Sequence, residues 1–292
     1  SYGRGLDNTP VSVLAELINA LSGRREDPGA WAALEILTMV VHGKPQVAPE
    51  ILDLIKCAVL APEIAEGPVG HAGHAEYSLE QLIKRLGRAG MIDPHFAEGF
   101  AEQVVRACRS PNASLRMTEA LRKSLVPVAE AMPLAVWKVI SAFYESATRY
   151  ERDRLARIIA PTLPFTNEVS RTGPGLLART PEAALIDWVD NDPENRLGFL
   201  LSFYPILDQQ DEKWVWNPAL ERLAARYGAL PAFRTALRWR IFVRSYAGSL
   251  ETHLRSFQAP LAAWEGDPSL GEWSERMRTD LNAWLDDQIT RH

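Results

Sequence analysis

The amino-acid sequence predicts an all-α protein, and three observations carry that prediction. Strand signals are nearly absent, with no alternating Val/Ile/Thr runs and no Asn-Gly or Asp-Gly hairpin turns. Helix-start signals recur instead, as capping residues followed by proline: Thr9-Pro10, Asp27-Pro28, Asp93-Pro94, Ser110-Pro111, Thr180-Pro181, Asp192-Pro193, Asn217-Pro218 and Asp267-Pro268. Each pair precedes apolar residues at helical spacing. The cap oxygen accepts from an amide that the first turn leaves orphaned, and proline tolerates the first helical position because its missing N–H is not needed there. The 20 prolines therefore punctuate a helical chain.

Taken in order, helices are expected near 11–21, 29–42, 48–60, 78–88, 94–109, 111–124, 133–145 and 147–159. They continue near 181–190, 194–204, 215–227, 231–245, 249–264 and 270–289. Short connections favour antiparallel hairpins. Segments 31–41, 134–144 and 197–207 are apolar nearly all round and belong to an interior layer. The longest non-helical stretches are 61–77 and 161–180, and the second, rich in Pro, Gly and Thr, reads as a linker. An N-terminal helical part (1–160) and a C-terminal one (181–292) follow. Stacked hairpins make an irregular α-solenoid or a multi-helix bundle. The Asp-Pro starts fall 66, 99 and 75 residues apart, so no strict period governs the stack.

Composition narrows the function classes. The chain has 292 residues, 47% hydrophobic, enough to bury a continuous core without disulfides. Lys and Arg number 32 against 37 acids, a net charge of −5 that excludes a generally basic nucleic-acid coat and a polyacidic tail. Cys57 and Cys108 both lie in apolar helical stretches, where reduced, packed thiols are expected, and a cytoplasmic location follows. No apolar run reaches the length of a membrane helix. Residues 1–10 lack the apolar core of a signal peptide, and an opening Ser in place of Met points to a trimmed chain or a piece of a longer polypeptide.

Catalytic signatures are missing. The chain has no phosphate-cradling G-x-x-x-x-G-K-[ST] loop, no G-x-G-x-x-G, no H-E-x-x-H, no G-x-S-x-G and no C-x-x-C. No Glu is followed two positions later by Lys, so the catalytic end of a restriction-like nuclease is missing too. A non-enzymatic protein without a cofactor is the expectation. His71 and His74, with Glu66 and Glu76 nearby, are the nearest approach to a zinc pair, but a Gly-rich loop with surface histidines is the preferred reading. The acid clusters Asp187/Asp190/Asp192 and Asp208/Asp211/Glu212 read as helix-end caps and solvated turns.

The basic residues are more informative. Arg222, Arg226, Arg234, Arg238, Arg240 and Arg244 crowd 221–244 against Glu221 alone. Such a row can clamp phosphates or an acidic partner, and Arg234, Arg238, Arg240 and Arg244 with Trp239 form the candidate site. The competing reading pairs them internally with the acidic segment 251–292, and it is the preferred one. Arg149, Arg152, Arg154 and Arg157 make a second patch diluted by Glu151 and Asp153. Trp214, Trp216, Trp239, Trp264, Trp273 and Trp284 all lie beyond residue 210, where packing between helices is the preferred role and stacking on a partner the alternative.

Residues 246–289 also carry Gly248-Ser249-Leu250, Pro260-Leu261, Asp267-Pro268 and Trp273, in that order. This stretch resembles the closing repeats of HEAT-like helical arrays in large bacterial multidomain proteins. Where those helices often carry Val-Arg after the turn, this chain has Leu270-Gly271-Glu272. The resemblance implies a sensing or docking surface of the kind found behind nucleotide-binding or effector domains in signalling and phage-defence proteins. The expected function is a module that docks a protein partner or a phosphate-bearing ligand. The alternative is a nucleic-acid-binding solenoid that contacts the phosphate backbone through the Arg-rich helix 231–245.

Overall fold

The computed structural model describes residues 9–22, 29–61, 74–110, 115–159, 176–204, 206–211, 213–242 and 250–290. The chain divides into two compact units, Ser1–Ile159 and Ala160–His292. Apart from one small hairpin, every regular element described is a helix. None of these helices is long and apolar enough to cross a membrane.

The first unit holds α1 (Val11–Ser22), α2 (Gly29–Val41), α3 (Pro49–Val59) and α4 (His74–Arg88). It continues with α5 (Pro94–Arg109), α6 (Leu115–Ala131), α7 (Pro133–Ser146) and α8 (Arg149–Ile159). The α2–α4, α4–α6 and α5–α7 pairs pack more extensively than any pair of helices adjacent in sequence. Alternate helices lying side by side are what stacked hairpins produce. Leu34, Leu37, Ile55, Leu82, Phe96 and Phe100 lie at the centre without solvent contact. Asp93 starts α5 as the sequence predicts: its Oδ1 accepts from the Phe96 amide at 2.8 Å, and Pro94 occupies the first turn. Gln103 reaches from α5 to the end of α3, where its amide donates to the carbonyls of Leu60 (2.6 Å) and Ala61 (3.0 Å).

Three details of this unit depart from the sequence reading. Helix α4 begins at His74, inside a stretch expected to be non-helical. Helix α6 runs to Ala131 through Pro127, where an end near 124 was expected. Proline removes one backbone hydrogen bond, but Leu125, Val128 and Ala129 are buried on the continuing turns and offset that loss. Cys57 is exposed, not packed, because it falls on the outer face of α3, whereas Cys108 is buried in α5.

The second unit opens with α9 (Leu176–Arg179), α10 (Glu182–Asn191) and α11 (Pro193–Phe203). A hairpin of β1 (Leu207–Gln210) and β2 (Lys213–Trp216) follows, then α12 (Pro218–Tyr227) and α13 (Pro231–Phe242). The unit closes with α14 (Leu250–Ser256), α15 (Gln258–Ala263) and α16 (Gly271–Thr290). Leu176 and Leu177 of α9 are buried, so the C-terminal end of the expected linker 161–180 belongs to this unit's core.

The hairpin corrects the expectation of a helix from 215. Its strands pair antiparallel from Leu207↔Trp216 to Gln210↔Lys213, and Asp211 in the turn adopts a positive φ of 47°. Aspartate tolerates that left-handed region better than most residues, so the turn needs no Asn-Gly or Asp-Gly pair. The expected helix 249–264 is interrupted at Phe257. Pro260 lacks the N–H that would bond the carbonyl one turn earlier and its ring crowds that carbonyl, which stops α14 at Ser256.

The capping residues fare unevenly. Asn217 accepts from the Ala219 amide at 2.9 Å and caps α12. Asp267 gathers the amides of Ser269 and Leu270 at 2.7 and 2.9 Å in the turn before α16. Asp192, expected to cap α11, gives no such bond; its carboxylate accepts from the Asn195 side chain instead. Thr180 donates back to the Leu176 carbonyl at 3.1 Å, leaving Pro181 at the cap position of α10.

Candidate functional site

Helix α13 carries the residues singled out by the sequence. Phe233, Leu237 and Ile241, four apart, form its buried stripe, and α11 is its main packing partner. That arrangement sends the four candidate residues described on α13 to different surroundings. Arg234 donates from Nε to the Gly228 carbonyl at 2.8 Å and from Nη2 to the Ser269 carbonyl. It thereby ties the α12–α13 turn to the turn before α16. Arg238 pairs with Asp280 of α16 at 3.1 Å and lies 5.8 Å from the centre of the Phe242 ring. The Arg238–Asp280 pair is of the kind the internal-pairing reading expects, whereas Arg234 bonds backbone carbonyls.

Arg240 points elsewhere. Most of its side chain is enclosed, and its Nε is sealed from solvent without a hydrogen-bond partner. Burial pushes the guanidinium below its ordinary pKa. His253 lies close enough to feel its charge, and the Nε2 of that histidine lies 3.0 Å from the Ile241 carbonyl. Arg244 lies outside the described residues, beyond the end of α13.

Trp239 is 53% exposed. It stands at the rim of a groove of about 550 Å³ between α11 and α13. Glu194 and Gly198 of α11 and Ala232, Thr235 and Ala236 of α13 line it. Small side chains keep the groove open, and beyond the adjoining backbone of α11 and the neighbours of Gly198 in the chain no atom lies within 4 Å of the place a Cβ there would occupy. Sequence reasoning missed this groove. The Ala232/Ala236 spacing was its only signal, and alanines at that spacing serve equally well in a closed helix contact.

A second cleft, of about 380 Å³, is lined by Arg238, Phe242, Asp280, Ala283 and Trp284, with the Phe242 and Trp284 rings edge to face at 5.8 Å. The other tryptophans divide between roles. Trp216 and Trp264 are buried and stacked at 4.3 Å, while Trp214 and Trp284 are each 40% exposed.

The remaining arginines and acids hold elements together. Arg222 reaches Glu182, and Arg226 reaches Asp190, which also accepts from the Tyr227 hydroxyl at 2.8 Å. These bonds hold the Glu182 and Asp190 carboxyls below their ordinary values, and burial with the Asp190 bond pushes Tyr227 up to about 12. In the diluted patch of the first unit, Arg152 donates to the Tyr144 carbonyl at 3.0 Å and Arg154 to that of Ser110. Asp208 lies in β1, not at the helix end expected for it, and accepts from the Asn217 side chain at 3.1 Å.

His71 lies outside the described residues, and of His74 only its place at the start of α4 is described. Among the described residues no three His, Cys, Asp or Glu side chains converge as metal ligands. Comparison of the chain with protein-family models, with curated proteins and with solved structures gives no match.

Proposed function

We propose that this chain is a non-enzymatic docking module that seats a protein partner along the α11–α13 groove. The observation that carries the reading is Trp239, an indole more than half exposed at the rim of an open groove with small walls. Buried tryptophans supply a disproportionate share of interface energy, and a partner that closed over this ring would remove its apolar surface from water at about 25 cal/mol per Å². Arg234 and Arg238 already have partners within the unit, which favours a protein surface over a phosphate backbone. The resemblance of 246–289 to HEAT-like arrays supports a place in a cytoplasmic signalling or phage-defence assembly.

A photo-crosslinking residue placed at the exposed Thr235 on the groove wall and used in the native host tests this. It is expected to trap a discrete protein, and the same residue at the exposed Tyr150 is not. The purified partner should then bind the wild-type chain at least about tenfold more tightly than Trp239→Ala. Equal binding by the two would overturn the reading. Binding of labelled DNA or RNA that falls steeply between about 50 and 200 mM salt, and is lost in Arg238→Glu, would replace it with the nucleic-acid alternative.

A further inference from the structure

The α11–α13 groove has a charge as well as a shape. Among the described residues that line it, Glu194 is the one ionised side chain. It is exposed, and among the described residues no hydrogen bond or ion pair engages its carboxylate. Several acids of the same unit are spoken for: Glu182, Glu251, Glu265 and Glu272 each meet an arginine. No described arginine of α11 or α13 lines the groove to do the same for Glu194. Arg196 donates to the Trp188 carbonyl, Arg234 to those of Gly228 and Ser269, and Arg238 pairs with Asp280.

These features favour one kind of occupant. A carboxylate forms its strongest hydrogen bonds with a guanidinium or an ammonium. Lysine and arginine also carry long apolar stems, which can lie along the small walls that Ala232 and Ala236 provide. The exposed Trp239 ring at the rim works in the same direction, since tryptophan attracts cations more strongly than any other aromatic side chain. An acidic segment would be repelled by Glu194, and a wholly apolar one would cover the carboxylate without bonding it, which costs free energy. The helix dipole favours an acid in the first turn of α11, but it does not account for an open groove with an indole beside that acid's helix. At about 550 Å³ the groove falls within the range, roughly 300–1,000 Å³, of pockets that enclose a small ligand, so it has room for an inserted side chain.

We infer, resting on the docking reading, that the partner segment seated in this groove is basic. It inserts a lysine or arginine whose stem lies on the alanine wall of α13 and whose charge meets Glu194. Trp239 holds the segment in place, and Glu194 selects its charge.

A displayed library of random peptides, selected on the full chain and counterselected on Trp239→Ala, tests this. The surviving peptides are expected to share a Lys or Arg position. Once synthesised, they should bind Glu194→Gln about fivefold more weakly than the wild type. Glu221→Gln, which alters an exposed acid that does not line the groove, should bind them as the wild type does. Replacing the shared basic residue by Gln should weaken binding to the wild type by a similar factor and have little further effect on Glu194→Gln, as expected of two groups in contact. Trp239-dependent peptides without a basic residue, or with equal affinity for wild type and Glu194→Gln, overturn the inference and leave the docking reading standing. If no peptide depends on Trp239, both fall together.

Discussion

One carboxylate at Asp93 joins two helices. Its Oδ1 caps α5 through the Phe96 amide, and its Oδ2 accepts from Lys56 of α3. The sequence predicts the cap from Asp93-Pro94 but cannot show the lysine, which lies 37 residues away. Asp93→Ala is expected to lower stability by about 1–2 kcal/mol, measured by urea denaturation, with most of the effect from the cap. Asp93→Asn, which retains a cap acceptor, should recover the larger part. Equal losses in both variants would place the effect in the Lys56 pair instead. The two cysteines separate in the same way. Burial pushes the Cys108 thiol up to about 12, whereas Cys57 is exposed on α3. A thiol reagent at pH 8 should therefore label the folded chain at Cys57 only, with Cys108 reacting after denaturation. Prompt labelling of Cys108 in the native state would contradict its burial.

At the scale of elements, the hairpin is the part that sequence reasoning did not reach. Its strands are four residues each and its turn lacks glycine, so no local signal separates it from a helix start. Trp214 and Trp216, two apart in β2, share one face of the hairpin, and distance from the turn separates their fates. Trp216 turns inward onto Trp264 and Phe257, with ring centres at 4.3 and 6.0 Å, and Trp214, two residues earlier, sits on a partly exposed surface. Trp216→Ala is expected to destabilise this unit by about 3–5 kcal/mol, and Trp214→Ala by less than about 1 kcal/mol. Denaturant titrations of the two variants would show it, and similar losses would mean that both rings are buried in solution. Close approach also constrains the start of α16. A Cβ on Gly271 would stand 2.4 Å from the Glu265 carbonyl oxygen, so this position accepts glycine without displacement of the backbone. The arginines of α13 belong here too, since one helix sends Arg234 and Arg238 to the C-terminal segment, Trp239 to an open groove and Arg240 inward. The spacing of charges along a helix predicts a face, but not which neighbour occupies it.

Across the whole molecule, acids in both units respond to pH with one sign. The Lys56 bond lowers Asp93, the Thr148 amide lowers Glu151, the guanidinium of Arg222 lowers Glu182, that of Arg226 lowers Asp190, and the Ser269 hydroxyl lowers Asp267. In each case the unfolded chain binds the proton more readily, so stability is full above the ordinary carboxyl values and is lost as pH falls through the lower native ones. Burial lowers His253 as well, and it contributes stability that is present above its ordinary 6.5 and declines below that value. The urea midpoint should hold from pH 8 to about 7, fall gently below about 6.5 and fall steeply below about 4.5. A midpoint that stays level down to pH 3 would mean that these bonds do not form in solution.

The sequence by itself determined the all-α class, the placement of most helices and the caps at Asp93 and Asn217, because these depend on periodicity and on residues within one turn of each other. It also pointed to α13 as the helix worth watching. Tertiary structure decided which of those side chains remain available. A guanidinium or an indole is recruited or left exposed by whatever carboxylate, carbonyl or ring packs beside it, and those neighbours come from helices tens of residues away in the chain. Long-range packing is also what carries α6 through Pro127 and leaves the Arg240 Nε covered without a partner.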